Sequence, residues 1–140
     1  GKSVVQGYSQ LARSGEVVFL TSSLKDVMCL EVLGYPAIAL QSEMQMPSQT
    51  LIQELKERFE EVIVLYDNDF ESEQNPGQSM AAKICSEFNL ANVCIPGMYK
   101  SKDVSDLIKN HSITVAKQLI DKEIWTNRNE STKSYTSVPF

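Results

Sequence analysis

Two aspartates in the middle of the chain are the residues whose types and spacing are best suited to chemistry. Asp67 and Asp69 follow an apolar run at residues 62–66, which predicts a strand. Side chains at positions i and i+2 of a strand point to the same side, so we expect both carboxylates to converge just beyond the sheet. Converging carboxylates attract hard cations such as Mg²⁺. The alternative is a pair of solvated charges at the end of a strand.

The elements that must position these carboxylates alternate along the chain. Short apolar runs are separated by stretches with helical spacing of apolar residues. Such alternation predicts an α/β fold, a four-stranded parallel sheet with helices on both faces, followed by a C-terminal helix and a polar tail. The strands are predicted at residues 17–20, 36–40, 62–66 and 92–96, and the helices at 24–33, 47–58, 79–88, 103–109 and 113–125.

The length and charge of the chain limit the classes of function. Its 140 residues suit one domain, which we place at residues 16–126, between a linker at 1–15 and a tail at 127–140. The net charge is −5, whereas a free-standing binder of phosphate backbones is normally basic. If the chain handles nucleic acid, we therefore expect metal ions and other domains to assist, and we expect a fragment of a longer protein.

The remaining composition favours an aqueous, reducing compartment. The chain has no apolar stretch of membrane-spanning length and no basic-then-apolar signal pattern, so we expect no membrane contact and a cytoplasmic location. Its three cysteines are widely spaced and His111 is its only histidine, which disfavours a zinc site.

In parallel sheets, active groups gather beyond the carboxyl ends of the strands. Several polar segments of this sequence follow predicted strands and should share that edge with the two aspartates. They are residues 22–26 after the first strand, residues 41–43 with Glu43 after the second, and residues 100–106 after the fourth.

The ordered set of segments resembles the Toprim domains of bacterial and phage DNA primases, including the primase halves of primase–helicases. The resemblance covers about residues 16–110. It is carried by Asp26-Val27 at the start of an apolar helix, residues 33–40, the D-x-D of residues 67–69, Gly77-Gln78 before an Ala-rich helix, and Lys102-Asp103 with Asp106.

This resemblance implies a divalent-metal-dependent nucleotidyltransferase that makes RNA primers in a bacterial cell or a phage-infected host. It implies Mg²⁺ or Mn²⁺ as cofactor, and a DNA template and nucleotides as partners, with flanking template-binding domains or a helicase. The implied catalytic residues are Asp26, Asp67, Asp69 and Asp103; the implied metal ligands are Asp67, Asp69, Asp103 and Asp106; Lys25, Lys100 and Lys102 are candidates for phosphate or nucleic-acid contact.

The sequence departs from the Toprim pattern at two places. Ser22 occupies the position of the family's first-motif Glu, and a neutral hydroxyl is a weak ligand. The loop at residues 70–76 is longer than the family's usual turn. Glu43 is a candidate substitute for the missing carboxylate. Two other functions therefore stay open: a catalytically degenerate Toprim module that binds nucleotide, nucleic acid or partner proteins, and a Toprim-type nuclease.

Some of these residues also have structural interpretations. Ser23 and Asp26 have the spacing of a capping box, in which the acidic side chain bonds the backbone of the cap. Asp103 precedes a predicted helix, where a negative charge is favourable by about 0.3–1 kcal/mol. The three lysines could equally be solvated surface charges.

Overall fold

The structure is a computed structural model that describes residues 5–136, with side chains described through residue 129. Five strands and five α-helices lie within this range. In chain order they are β1 Val5–Gln6, β2 Gly15–Thr21, α1 Leu24–Val32, β3 Ala37–Leu40, α2 Gln49–Arg58, β4 Phe59–Leu65, α3 Pro76–Phe88, β5 Ala91–Asn92, α4 Val104–Asn110 and α5 Ile113–Thr136.

The strands form one sheet in the order β1-β3-β2-β4-β5. Strands β2 to β5 pair in parallel as predicted, but β1 adds an antiparallel edge, with Val5 opposite Leu40 and Gln6 opposite Ala39. The prediction of a four-stranded, wholly parallel sheet is therefore wrong. A strand of two residues has no measurable period, and its pairing depends on β3, more than thirty residues further along the chain.

Helices cover both faces of the sheet, as predicted. One core contains the inward faces of α1, α4 and α5, and the other contains those of α2 and α3. Neighbouring residues of β2 alternate between them, because Phe19 packs in the first core while Val18 and Leu20 pack in the second. Burial on both faces explains why the central strands are continuously apolar.

The ends of two elements differ most from the predicted ones. Strand β5 covers only Ala91–Asn92, although the Val93 N–H still donates to the carbonyl of Val64 at 2.8 Å. Helix α5 continues to Thr136, beyond the predicted end at residue 125, so most of the predicted tail at 127–140 is helical. Residues 137–140 of that tail lie outside the described residues.

The extension of α5 is polar, which removes the apolar period that predicts a helix. Across the described residues, no helix combines the length and the apolar character needed to cross a membrane.

Candidate metal centre at the carboxyl edge of the sheet

The register of β2 and β4 brings Ser22 against Asp67. Thr21 lies opposite Leu65, and its hydroxyl donates to the Leu65 carbonyl at 2.7 Å. Just beyond these positions, one residue after β2 and two residues after β4, Ser22 Oγ donates to Asp67 Oδ1 at 2.8 Å. Ser22 therefore orients a carboxylate and contributes none of its own.

Three aspartates that are distant in sequence meet at this edge. Asp26 comes from the first turn of α1, Asp67 from the loop after β4, and Asp103 from the residue that caps α4. One carboxylate oxygen of each lies within 4.8 Å of those of the other two. We call Asp26, Asp67 and Asp103 the acidic cluster.

Asp26 takes part in the N-cap of α1 and also lies in the acidic cluster. Its backbone N–H donates to Ser23 Oγ at 3.2 Å, and its carboxylate accepts from Ser23 Oγ at 3.1 Å and from the Ser105 N–H at 3.3 Å. The same carboxylate is 1% exposed and belongs to the acidic cluster. Burial, followed by repulsion from Asp103 and Asp67, raises the pKa of Asp26 to about 7.

Asp103 and Asp67 are also fixed by hydrogen bonds. Asp103 accepts from the Asp106 N–H at 2.7 Å and so caps α4, while the half-buried Asp106 side chain lies outside the acidic cluster. Burial raises the pKa of Asp67, repulsion from Asp103 and Asp69 adds to it, and the Ser22 hydrogen bond and Lys102 oppose it.

Asp69 is not a member of the acidic cluster. Strand β4 ends at Leu65, so the alternation of a strand does not extend to Asp67 and Asp69. Asp69 Oδ2 instead accepts from the Gly77 N–H at 3.1 Å, at the first turn of α3. The raised pKa of Asp67 shows that the two charges still interact.

Asparagine side chains, which the sequence analysis did not single out, hold this loop in place. Asn75 Oδ1 accepts from the Asp69 N–H at 2.8 Å, and Asn75 Nδ2 donates to Asn68 Oδ1 at 2.8 Å. The buried Asn68 donates in turn to the Ile95 carbonyl at 2.8 Å. The signal available in the sequence was Asn-Pro-Gly ahead of a helix, because Asn is a good N-cap and Pro suits the first helical turn.

Gly77 lets α3 approach the cluster closely. A Cβ at this position would lie 2.3 Å from the Asp67 carbonyl oxygen and 2.9 Å from Glu43 Oε1. The half-buried Glu43 side chain, which follows β3, therefore lies close to Gly77, as the backbone carbonyl of Asp67 does. Its pKa is raised by burial first and then by Asp67 and Asp69.

The predicted lysines divide into two groups. Lys100 and Lys102 line a cleft of about 460 Å³, together with residues 68–72 and Asp106. We call this space the lysine cleft. Lys25 is exposed on α1 and does not line it.

The donor set of the acidic cluster fits a hard divalent cation. It consists of carboxylate oxygens, the ligands that Mg²⁺ and Mn²⁺ prefer. Oxygens bound to one Mg²⁺ at about 2.1 Å lie at most about 4.2 Å apart, and the three oxygens of the cluster lie within 4.8 Å of one another. Repulsion from Asp103 and Asp67, which adds to the effect of burial on the pKa of Asp26, would be relieved by a bound cation. The cluster could therefore hold a metal ion.

Comparison with known proteins bears on the fold. No family model and no curated protein sequence matches the chain. Among solved structures, it is similar to the primase domains in a complex of the bacteriophage T7 lagging-strand DNA polymerase with an RNA/DNA hybrid and dTTP. The TM-score is 0.55 at 14% identity, over 81% of this chain and 56% of that one.

A second similar structure is the primase fragment of the bacteriophage T7 primase–helicase protein, with a TM-score of 0.51 at 16% identity. The fold is primase-like. The match covers 81% of this chain and 46% of the fragment, so the chain spans about half the length of these structures. At such identities the primase-like fold is shown, while the chemistry must be argued from the site.

Proposed function

We propose that this chain is the Toprim domain of a DNA primase, which joins nucleotides into RNA primers on a DNA template with the help of Mg²⁺ or Mn²⁺. The observation that carries the proposal is the acidic cluster, located at the carboxyl ends of parallel strands in a primase-like fold. Such edges are where α/β sheets bind ligands. Carboxylates at this edge suit the chemistry of phosphate groups, whose negative charge requires a cation.

The residues would divide the work as follows. Asp26, Asp67 and Asp103 would hold the ion, with Asp69 and Asp106 beside it. When bound, the ion supplies charge neutralisation at the phosphates during attack of a 3′-hydroxyl on a nucleotide's α-phosphate. Ser22 holds Asp67 in orientation, the α4 cap holds Asp103, and the Ser105 N–H holds Asp26. The protein thus contributes a set of carboxylates already fixed in position.

Asp67→Asn is the direct test of this proposal. The substitution keeps the size of the side chain and removes one charge of the acidic cluster. Even indirect partners of metal ligands contribute about 10- to 100-fold, so we expect Mn²⁺ affinity to fall about 100-fold or more. Mn²⁺ binding would be measured by calorimetry on this chain, and primer synthesis on the protein that carries this domain, where we expect a loss of similar size.

Asp121→Asn on α5 is the matched control, since it removes an exposed carboxylate outside the acidic cluster and should change neither readout.

The presence of Ser22 at the family's Glu position favours one competing function, a degenerate Toprim module that binds nucleotide or nucleic acid without chemistry. Normal primer synthesis by Asp67→Asn would contradict the proposed catalytic function of this chain and leave the degenerate module as the explanation.

Glu43 is proposed to supply the carboxylate that Ser22 lacks. Its carboxylate lies beside Gly77 and the Asp67 backbone, and its pKa responds to Asp67 and Asp69. We therefore expect Glu43→Gln to weaken Mn²⁺ binding about 10-fold, the lower range for groups that support a metal site. Adding Ser22→Glu to Glu43→Gln should restore the affinity, because it returns a carboxylate to the family position.

Glu57→Gln, an exposed substitution of the same type on α2, serves as control for Glu43→Gln. Equal Mn²⁺ affinities of the two variants would remove Glu43 from the proposed centre. A loss that Ser22→Glu does not rescue would assign Glu43 a structural role instead.

The proposed partners are a DNA template, nucleotides, and flanking template-binding domains or a helicase. The acidic net charge of −5 gives this chain no general attraction for a phosphate backbone, and this supports flanking domains or a helicase as the parts that hold the template. The similar T7 fragment belongs to a primase–helicase and is about twice as long as the matched region.

A further inference from the structure

The lysine cleft has two walls that are each held by hydrogen bonds. Residues 68–72 form one wall, which is tied by the turn from the Ser72 N–H to the Asp69 carbonyl at 2.9 Å. Lys100 and Lys102 belong to the other wall, and the Asn68 N–H donates to the Lys102 carbonyl at 2.7 Å, which joins the two. The cleft is therefore formed in advance of any ligand, as binding sites usually are.

The backbone at Lys100 is held in an unusual conformation. Its φ is +51°, in the left-handed region that side-chain-bearing residues seldom adopt, and its carbonyl accepts from Asn110 Nδ2 at 3.3 Å. The 3₁₀ turn Gly97–Tyr99 precedes it. A lysine kept in this conformation by its surroundings is a candidate for a functional position.

An exposed aromatic side chain belongs to the same cleft. Phe70 is 37% exposed although it is large and apolar, and a Cβ added at Gly97 would lie 3.5 Å from Phe70 Cβ and 3.9 Å from Phe70 Cγ. Met98, next to Gly97, is 82% exposed. The cleft thus combines an accessible aromatic ring with two ammonium groups. It adjoins the acidic cluster, because Asp69 lines the cleft and also repels Asp67.

We propose that the lysine cleft binds a nucleotide, with its base stacked on Phe70 and its phosphate against Lys100 and Lys102. This inference rests on the proposed function and adds to it the location of a nucleotide subsite. Aromatic rings stack on any base, and lysines contact phosphate oxygens without regard to sequence. A volume of about 460 Å³ is in the range of small-molecule pockets.

Acidic groups of the cleft determine the conditions of binding. Asp69, Glu71 and Asp106 line it together with the two lysines, so the cleft is not positive overall. We therefore expect phosphate binding to be measurable with a divalent cation present and weak without it. Phe70 opens the 70–76 loop that is longer than the usual Toprim turn, so the aromatic contact would be a property of this chain.

Two probes separate the sources of such a nucleotide: ATP with Mg²⁺, and a single-stranded DNA oligonucleotide with Mg²⁺. Stacking contributes about 1–3 kcal/mol per base, so Phe70→Ala and Phe70→Leu should weaken binding roughly 5- to 150-fold. Phe70→Trp should retain it, and the introduced indole should be quenched by the bound base. Loss for ATP alone assigns a free nucleotide, and loss for DNA alone assigns a nucleotide of a strand.

Trp125→Ala is the control, because it removes another exposed aromatic side chain, on α5 outside the cleft, and should bind both probes normally. Wild-type affinity of Phe70→Ala and Phe70→Leu for both probes would overturn the inference. A chain that binds Mn²⁺ but neither probe overturns the cleft and leaves the metal centre standing. A chain that binds a probe through Phe70 but binds no Mn²⁺ would overturn the metal centre and leave the cleft standing.

Discussion

Without metal ions, the chain is expected to lose roughly 4 kcal/mol of unfolding free energy through Asp26 as the pH rises from about 4 to above about 7. The pKa of Asp26 is raised from 3.8 to about 7. Between these values the folded state keeps a proton that the unfolded state releases, so stability falls by about 1.4 kcal/mol for each pH unit. Below this window the carboxyl is protonated in both states, and above it the full destabilisation is present.

Asp26→Asn should remove this part of the pH dependence, because the amide oxygen can still accept from the Ser105 N–H while no charge is buried. Urea unfolding at a series of pH values, with EDTA present, measures the difference between variant and wild type. Glu57→Gln, on the exposed side of α2, should follow the wild-type curve. Parallel curves for Asp26→Asn and wild type would contradict the buried, repelled carboxylate.

Gly77→Ala should destabilise the chain by about 3 kcal/mol, at the upper end of the usual cost of overpacking. The new Cβ would lie 2.3 Å from the carbonyl oxygen of Asp67, and backbone cannot move aside as a flexible side chain can. Helix α3 would have to shift, which would break the bond from the Gly77 N–H to Asp69. We therefore expect the variant to lose Mn²⁺ affinity as well, which calorimetry alongside urea unfolding would record.

Gly97→Ala provides the comparison for this substitution, since its Cβ would meet Phe70 at 3.5 Å, an ordinary contact. Its unfolding free energy should stay within about 1 kcal/mol of wild type, the scale of substitutions that cause no clash. If Gly77→Ala proved as stable as Gly97→Ala and bound Mn²⁺ equally well, the close approach of α3 to Asp67 would not matter to the site.

Both predictions concern the close packing of the protein around the negative charges of the acidic cluster. Asp26 is buried among like charges, and Gly77 allows another element to approach those charges closely. The buried Asp26 carboxylate costs stability in the metal-free chain unless something at the site offsets it. A bound cation offsets such a cost in proportion to its concentration and affinity, because it binds only the folded arrangement. Mn²⁺ should therefore raise the stability of wild type more above pH 7 than at pH 5.

Local patterns predicted the layers of the fold. The continuous apolar character of β2 and β4 and the helical spacing of α1, α2 and α3 identified a parallel sheet covered on both faces. These signals are reliable because burial on both sides of a strand, or along one stripe of a helix, imposes its period on the sequence directly. They are weakest where an element is short or polar, as for β1 and the end of α5.

The membership of the acidic cluster could not be predicted in the same way. Asp67 was placed by its position after a strand, and the resemblance to Toprim primases named Asp26 and Asp103. Whether Asp69 or Asp26 stands next to Asp67 depends on how α1 and α4 pack and on the hydrogen bond from Gly77 to Asp69.

The sequence by itself thus determined an α/β layer order and a carboxylate at the carboxyl edge of the sheet, because both follow from residues close together in the chain. Only the tertiary structure decided which carboxylates meet there, that Ser22 orients Asp67, and that Phe70 shares a cleft with Lys100. These contacts join residues up to nearly eighty positions apart, and their geometry depends on packing that no local period records.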